Sequence, residues 1–138
     1  MKTVAVDTSV LVDAFHGDES FRRTLAGAER ILVCPVVYAE YMAGFDDSRK
    51  GRAAKDLFRS FLSLDHVEMP PVGEETADIH VRLFRHLRER GTPIPQNDLW
   101  IASSALEHGA VLLTADAHFD AIPTLRTERP APKRDRKP

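Results

Sequence analysis

The order of apolar runs along the chain predicts an α/β fold, a three-layer α/β/α sandwich around a mostly parallel, five-stranded sheet. Three observations carry that expectation. Short runs rich in branched apolar residues, such as Thr3 to Val6, Ile31 to Val33 and Ala110 to Leu113, read as strands buried on both faces. Between them lie stretches with helical spacing of apolar residues, bounded by proline or glycine. Strands that alternate with helices need crossover connections, which are right-handed and leave helices on both sides of a parallel sheet.

Each element has its own local reason. The first strand stops at Asp7, and Ser9 is placed to cap a short helix. A second helix follows from Asp18 to Ala28, with Phe21 and Leu25 on one face. After the second strand, Pro35 suits the first turn of a helix and Gly44 its end, so residues 35 to 44 form a helix with Glu40 in its second turn. Ala54, Leu57, Phe58, Phe61 and Leu62 mark a helix from Arg52 to Leu64. Val67 to Met69 makes a third strand before Pro70 and Pro71. A long helix runs from Glu74 to Arg90, its apolar face comprising Ala77, Ile79, Val81, Leu83, Phe84 and Leu87, and Gly91 ends it. Asn97 or Asp98 opens the next helix, which carries Trp100, Ile101, Ala105 and Leu106 inward and stops at Gly109. Ala110 to Leu113 is the fourth strand and Thr124 to Thr127 the fifth. The folded domain therefore spans residues 1–127, and the proline-rich, charged stretch 128–138 reads as a disordered, solvated tail.

The 138 residues suit one domain, and 43% hydrophobic with 29% charged residues is ordinary globular usage. No apolar run reaches the ~20 residues of a membrane span. The first residues lack the apolar core of a secretory signal, so a cytoplasmic location is expected. Cys34 is the single cysteine, which excludes an internal disulfide and a cysteine-rich zinc site. A formal charge of −2, from 19 Lys and Arg against 21 Asp and Glu, argues at first against a nucleic-acid partner. That objection weakens if several acids surround a divalent cation that cancels their charge locally.

Ligands of open parallel sheets bind beyond the carboxyl ends of the strands, where the strand order reverses. Asp7 ends the first strand and Asp116 follows the fourth by three residues. Helices antiparallel to the strands bring their N-termini to the same edge, which adds Asp98 at a helix start and Glu40 about one turn further in. Four carboxylates in one crevice repel each other, and burial would neutralise some of them unless a cation holds them together. Mg²⁺ or Mn²⁺ takes a few carboxylates and keeps waters for a substrate phosphate, so the pattern suits metal-assisted phosphodiester hydrolysis.

Asp7-Thr8-Ser9-Val10-Leu11-Val12-Asp13, Glu40 within Val36 to Gly44, Asn97-Asp98-Leu99-Trp100-Ile101-Ala102 and Leu113 to Asp120 together resemble the PIN domain, and more narrowly the VapC-type toxins. The blocks arrive in the family's order over the whole chain except the tail. The resemblance implies a Mg²⁺- or Mn²⁺-dependent endoribonuclease acting on structured RNA such as tRNA, usually a homodimer, neutralised by a cognate VapB-like antitoxin. It also implies that Asp7, Glu40, Asp98 and Asp116 form the metal-binding and catalytic quartet, with Thr114 as a supporting hydroxyl. Asp120 matches a further acidic position, but reads equally well as a solvated or capping residue. Where relatives often begin the Glu40 helix with Ser or Thr, this chain has Cys34-Pro35-Val36-Val37, which alters capping and not chemistry.

Other residues are weighed against plainer roles. The six histidines show no zinc-type pairing and read as surface or packing residues. Arg82, Arg85 and Arg88 are neighbours at i, i+3 and are candidates for gripping RNA phosphates, a solvated helix face being the equal alternative. Trp100 beside Asp98 reads as core packing before base stacking. A phosphatase of the haloacid dehalogenase type would want a second Asp where Ser9 stands. A non-catalytic PIN-like module that binds RNA or protein is the remaining alternative, disfavoured because all four acids are present.

Overall fold

A computed structural model describes residues 2–129. Five parallel strands form one sheet in the order β3-β2-β1-β4-β5, flanked by six α-helices, which is the three-layer arrangement the alternating pattern predicts. They are β1 (Thr3–Val6), α1 (Thr8–Phe15), α2 (Glu19–Ala26), β2 (Arg30–Leu32), α3 (Pro35–Ala43), α4 (Arg49–Leu62), β3 (Val67–Glu68), α5 (Glu74–Glu89), α6 (Gln96–Glu107), β4 (Val111–Leu113) and β5 (Thr127–Glu128). A 3-10 helix, Ala117–Ala121, lies between β4 and β5. Among the described residues, no helix is long and apolar enough to cross a membrane.

The order follows from the chain path. From β1 the chain moves outward to β2 and β3, then returns through α5 and α6 to the other side of β1. β1 and β4 are therefore adjacent, with Val6 opposite Leu113, and the strand order reverses between them. The core is continuous around this pair. Val4, Val10, Leu11, Val33, Val37, Phe58, Ala102, Ala105, Leu112 and Phe119 are all fully buried in it. Phe58 anchors an aromatic group in which its ring lies 4.4 Å from Tyr41. Cys34 is buried, as an inert thiol would be, and burial pushes its pKa up.

Several boundaries differ from the sequence expectation, among them α4, which spans Arg49–Leu62 rather than Arg52 to Leu64. Asp7, rather than Ser9, caps α1, because its carboxylate accepts a hydrogen bond from the Thr8 N–H. α6 begins a residue early, at Gln96 after Pro95, so Asp98 lies in its first turn. Its other end is as expected: Gly109 takes φ +62°, a conformation that costs an L side chain energy. The fifth strand is Thr127–Glu128, not Thr124 to Thr127. Glu128 and Arg129, assigned to the tail by composition, thus belong to the domain, while the expectation for residues 130–138 lies outside the described residues. Val81 and Phe84, placed on the apolar face of α5 by their spacing, are 43% and 38% exposed, and Leu57 of α4 is 47% exposed.

Candidate active site

Asp7 occupies the junction between β1 and α1, where two roles converge. As the last residue of the strand ladder, its N–H donates to the Leu113 carbonyl of β4. Its side chain turns over the sheet edge, Oδ1 accepting from the Thr8 N–H at 2.8 Å and Oδ2 from the Thr114 hydroxyl at 2.8 Å. Thr114 is wholly buried, and its oxygen also accepts the Asp116 N–H at 2.9 Å. One hydroxyl therefore fixes both strand-end acids of the reversal point.

Asp116 caps the 3-10 helix by accepting the His118 N–H at 2.9 Å. The His118 ring then folds back so that Nδ1 lies 3.1 Å from Asp116 Oδ1 and 3.1 Å from Asp98 Oδ2. Ligand atoms of Asp98, Asp116 and His118 lie within 4.8 Å of one another. Glu40, projecting from α3, reaches the same edge by two bridges: Thr8 donates its hydroxyl to Oε1 at 2.7 Å, and Asn97 its amide to Oε2 at 3.1 Å. Thr8 follows Asp7 and Asn97 precedes Asp98, so each bridge ties Glu40 to a neighbour of another acid.

Crowding shows in the electrostatics. Burial raises the pKa of Asp7 above the usual carboxylate value, the Thr114 and Thr8 hydrogen bonds oppose this, and the charges of Glu40 and Asp116 raise it further. Asp98 is raised chiefly by burial and also by Asp7 and Asp116, against the pull of His118. The four carboxylates thus feel one another's charge without all being in contact. Such a group of oxygen donors suits a hard divalent cation, which would remove the repulsion that the protein alone leaves in place.

The PIN domain family matches residues 4–125 of this chain. The chain belongs to the PIN domain family. The chain is 30% identical over 128 residues to Ribonuclease VapC2 of Rickettsia felis, covering 89% of this chain and 94% of that protein. It is also similar to Ribonuclease VapC5 of Mycobacterium tuberculosis, 27% identical over 117 residues and 85% of each chain. Among solved structures, VapBC2 from Rickettsia felis bound to a DNA fragment from their promoter superposes with a TM-score of 0.80 at 26% identity, over 92% of this chain and 98% of that one.

In this PIN domain the four acids named from sequence all reach the β1/β4 edge, and Thr114 bonds to one of them directly. Asp120 stays outside the cluster. Its carboxylate pairs with Arg129 at 2.7 Å, while the same guanidinium holds the Ala115 carbonyl at 3.0 Å, so the pair braces the turn that presents Asp116. His118 corrects the reading of the histidines as surface or packing residues, since its ring joins two of the acids. The signal was its place two residues after Asp116, which a search for histidine pairs does not test. Thr8 and Asn97 were likewise visible only as neighbours of the acids. Of the arginines, Arg82 lines a hollow of about 620 Å³ with His86 and Arg90, and Arg88 a smaller one beside Phe84, while Arg85 is exposed and lines neither. Trp100 is half-buried, and its ring stacks on His80.

Proposed function

We propose that this chain is a divalent-metal-dependent endoribonuclease of the VapC type, the toxin of a toxin–antitoxin pair. The observation that carries the reading is the joining of Asp7, Glu40, Asp98 and Asp116 at one sheet edge through Thr8, Thr114, Asn97 and His118. Similarity to proteins named as VapC ribonucleases supports it along nearly the whole chain. Mg²⁺ or Mn²⁺ would be held by Asp7, Glu40, Asp98 and Asp116. When bound, the cation supplies charge for a phosphodiester oxygen and lowers the barrier to attack by water.

The chain's own residues do the rest. Thr114 holds Asp7 Oδ2 and the Asp116 backbone in fixed relation, so the strand-end carboxylates need little rearrangement to bind. Thr8 and Asn97 set both oxygens of Glu40, and His118 keeps Asp98 and Asp116 together. One of the four carboxylates would also accept the proton of the attacking water. The partners that follow from this reading are structured RNA such as tRNA as substrate, a VapB-like antitoxin, and a second copy of the chain in a homodimer. Its setting would be the cytoplasm.

The test is incubation of purified protein with a labelled RNA pool and Mg²⁺ or Mn²⁺. Wild type should cut internally, with cleavage stopped by chelator and by Asp7→Ala or Asp116→Ala. Equal cleavage by wild type and both variants would overturn the catalytic assignment.

A further inference from the structure

α5 carries a ridge of side chains that the acidic edge does not use. His80, Phe84 and Arg88 stand at i, i+4 and i+8, in line along one face of the helix. His80 stacks on Trp100 of α6, with centroids 4.1 Å apart and planes inclined by 29°. It lies nearly parallel to Phe84, at 6.5 Å and 10°. Beside the end of this ladder is a hollow of about 170 Å³ lined by Phe84, Leu87, Arg88, Pro93, Ile94 and Leu99. Phe84 keeps over a third of its surface in water, so its ring is open to a ligand.

Two further features direct this ridge toward nucleic acid. The first is continuity with the acids: His80 Nε2 bonds to Gln96 Oε1 at 3.0 Å, and the next residue, Asn97, donates to Glu40 Oε2. The second is charge. Arg85 and Arg88 are exposed, and among the described residues neither makes an ion pair with a carboxylate. Stacked rings accept the π-face of any base, and unneutralised arginines accept the phosphates between bases.

We propose that the Trp100, His80 and Phe84 ladder, with Arg85 and Arg88, is a subsite for unpaired nucleotides flanking the bond to be cut. The proposal rests on the ribonuclease reading for its role, but its binding step can be measured without cleavage. Trp100 is the sole tryptophan, so its fluorescence reports on the ladder directly. With chelator present, titration with short single-stranded oligoadenylate should quench that fluorescence in wild type and in Asp116→Ala alike. Phe84→Ala should weaken the titration about ten-fold, as loss of one stacked base does, and Phe84→Tyr should restore it. In the cleavage assay Phe84→Ala should raise KM by a similar factor with kcat within two-fold. Leu57→Ala, an equally exposed apolar residue on α4, should change neither. Quenching without cleavage by wild type would sink the nuclease reading and leave the subsite standing. Cleavage with no quenching and an unchanged KM for Phe84→Ala would overturn the subsite. So would a dimer, seen by sedimentation, that Phe84→Ala dissociates without moving KM.

Discussion

Asp7 and Asp98 stand at the same sheet edge and both have raised pKa values, yet they are held in opposite ways. Asp7 is 8% exposed, and the groups that favour its charged form are neutral donors, a hydroxyl and a backbone N–H. Asp98 faces the His118 ring, which can itself carry positive charge and is shared with Asp116. The inner end of the site is thus fixed in position but left electrostatically unsatisfied, while the outer end carries its own adjustable counter-charge. A cation should therefore matter most to the inner end, and that difference can be broken experimentally.

The largest effect is expected at Asp7 itself. Asp7→Ala removes the buried ligand and should lower RNA cleavage by about 10³-fold, the equivalent of roughly 4 kcal/mol in the barrier. Asp116→Ala should be comparable, and single-turnover cleavage of labelled RNA measures both. If Asp7→Ala kept wild-type rates, the inner end would not be the centre of the chemistry.

Thr114→Val tests positioning without removing an acid. Valine keeps the buried shape but loses both hydrogen bonds that join Asp7 to the Asp116 backbone. Disturbing such a supporting group typically costs 10- to 100-fold in metal affinity or activity. A Mn²⁺ titration of activity should show the loss as a higher metal requirement. An unchanged requirement would confine Thr114 to packing.

These residues differ in how plainly the sequence announced them. Asp7 and Asp116 end short apolar strands, so the sheet's polarity alone carries them to the β1/β4 reversal. Asp98 follows from a helix start, and Glu40 needed the family pattern because its reach depends on the α3 approach, which local rules do not specify. His118 was hidden because its partners come from α6 and from the turn before it, an arrangement that only tertiary structure brings together. The fifth strand slipped by three residues for a related reason. Thr124 to Thr127 has little apolar patterning, and the two-residue strand is defined by its pairing with Leu112 and Leu113. Asp7 displaced Ser9 as cap because the residue that ends β1 also begins α1, leaving no linker for a separate capping residue.

His118→Ala probes the outer end and should have a smaller effect. Asp98 and Asp116 lose a shared donor but keep their backbone positions, and a bound cation can replace the counter-charge. A loss of about 2- to 10-fold in kcat, largest at low metal concentration, is expected of a positioning group that a ligand can substitute. A defect as deep as that of Asp116→Ala would instead place the imidazole among the metal ligands.

The smallest effect concerns stability without metal, and its sign is opposite to the activity effects. Because burial raises the folded-state pKa of Asp7 above the ordinary carboxylate value, folding favours the protonated carboxyl. Its favourable contribution is complete below that value and is lost as pH rises through the folded-state pKa. Above the folded-state pKa the metal-free protein carries an ionised Asp7 in a buried setting that works against folding. Asp7→Asn keeps an oxygen for the Thr8 N–H and leaves an amide that can donate to Thr114, so it removes the charge with little change of shape. In chelator at pH 7 the variant should melt above wild type, as stabilising changes at functional sites do at the expense of activity. The advantage should shrink as the pH falls through the folded-state pKa and wild-type Asp7 takes up its proton. Added Mn²⁺ should raise the melting temperature of wild type and much less that of the variant. A variant that melts below wild type in chelator at pH 7 would mean that the Thr114 and Thr8 hydrogen bonds outweigh desolvation, and the inner end would then be stable without a cation.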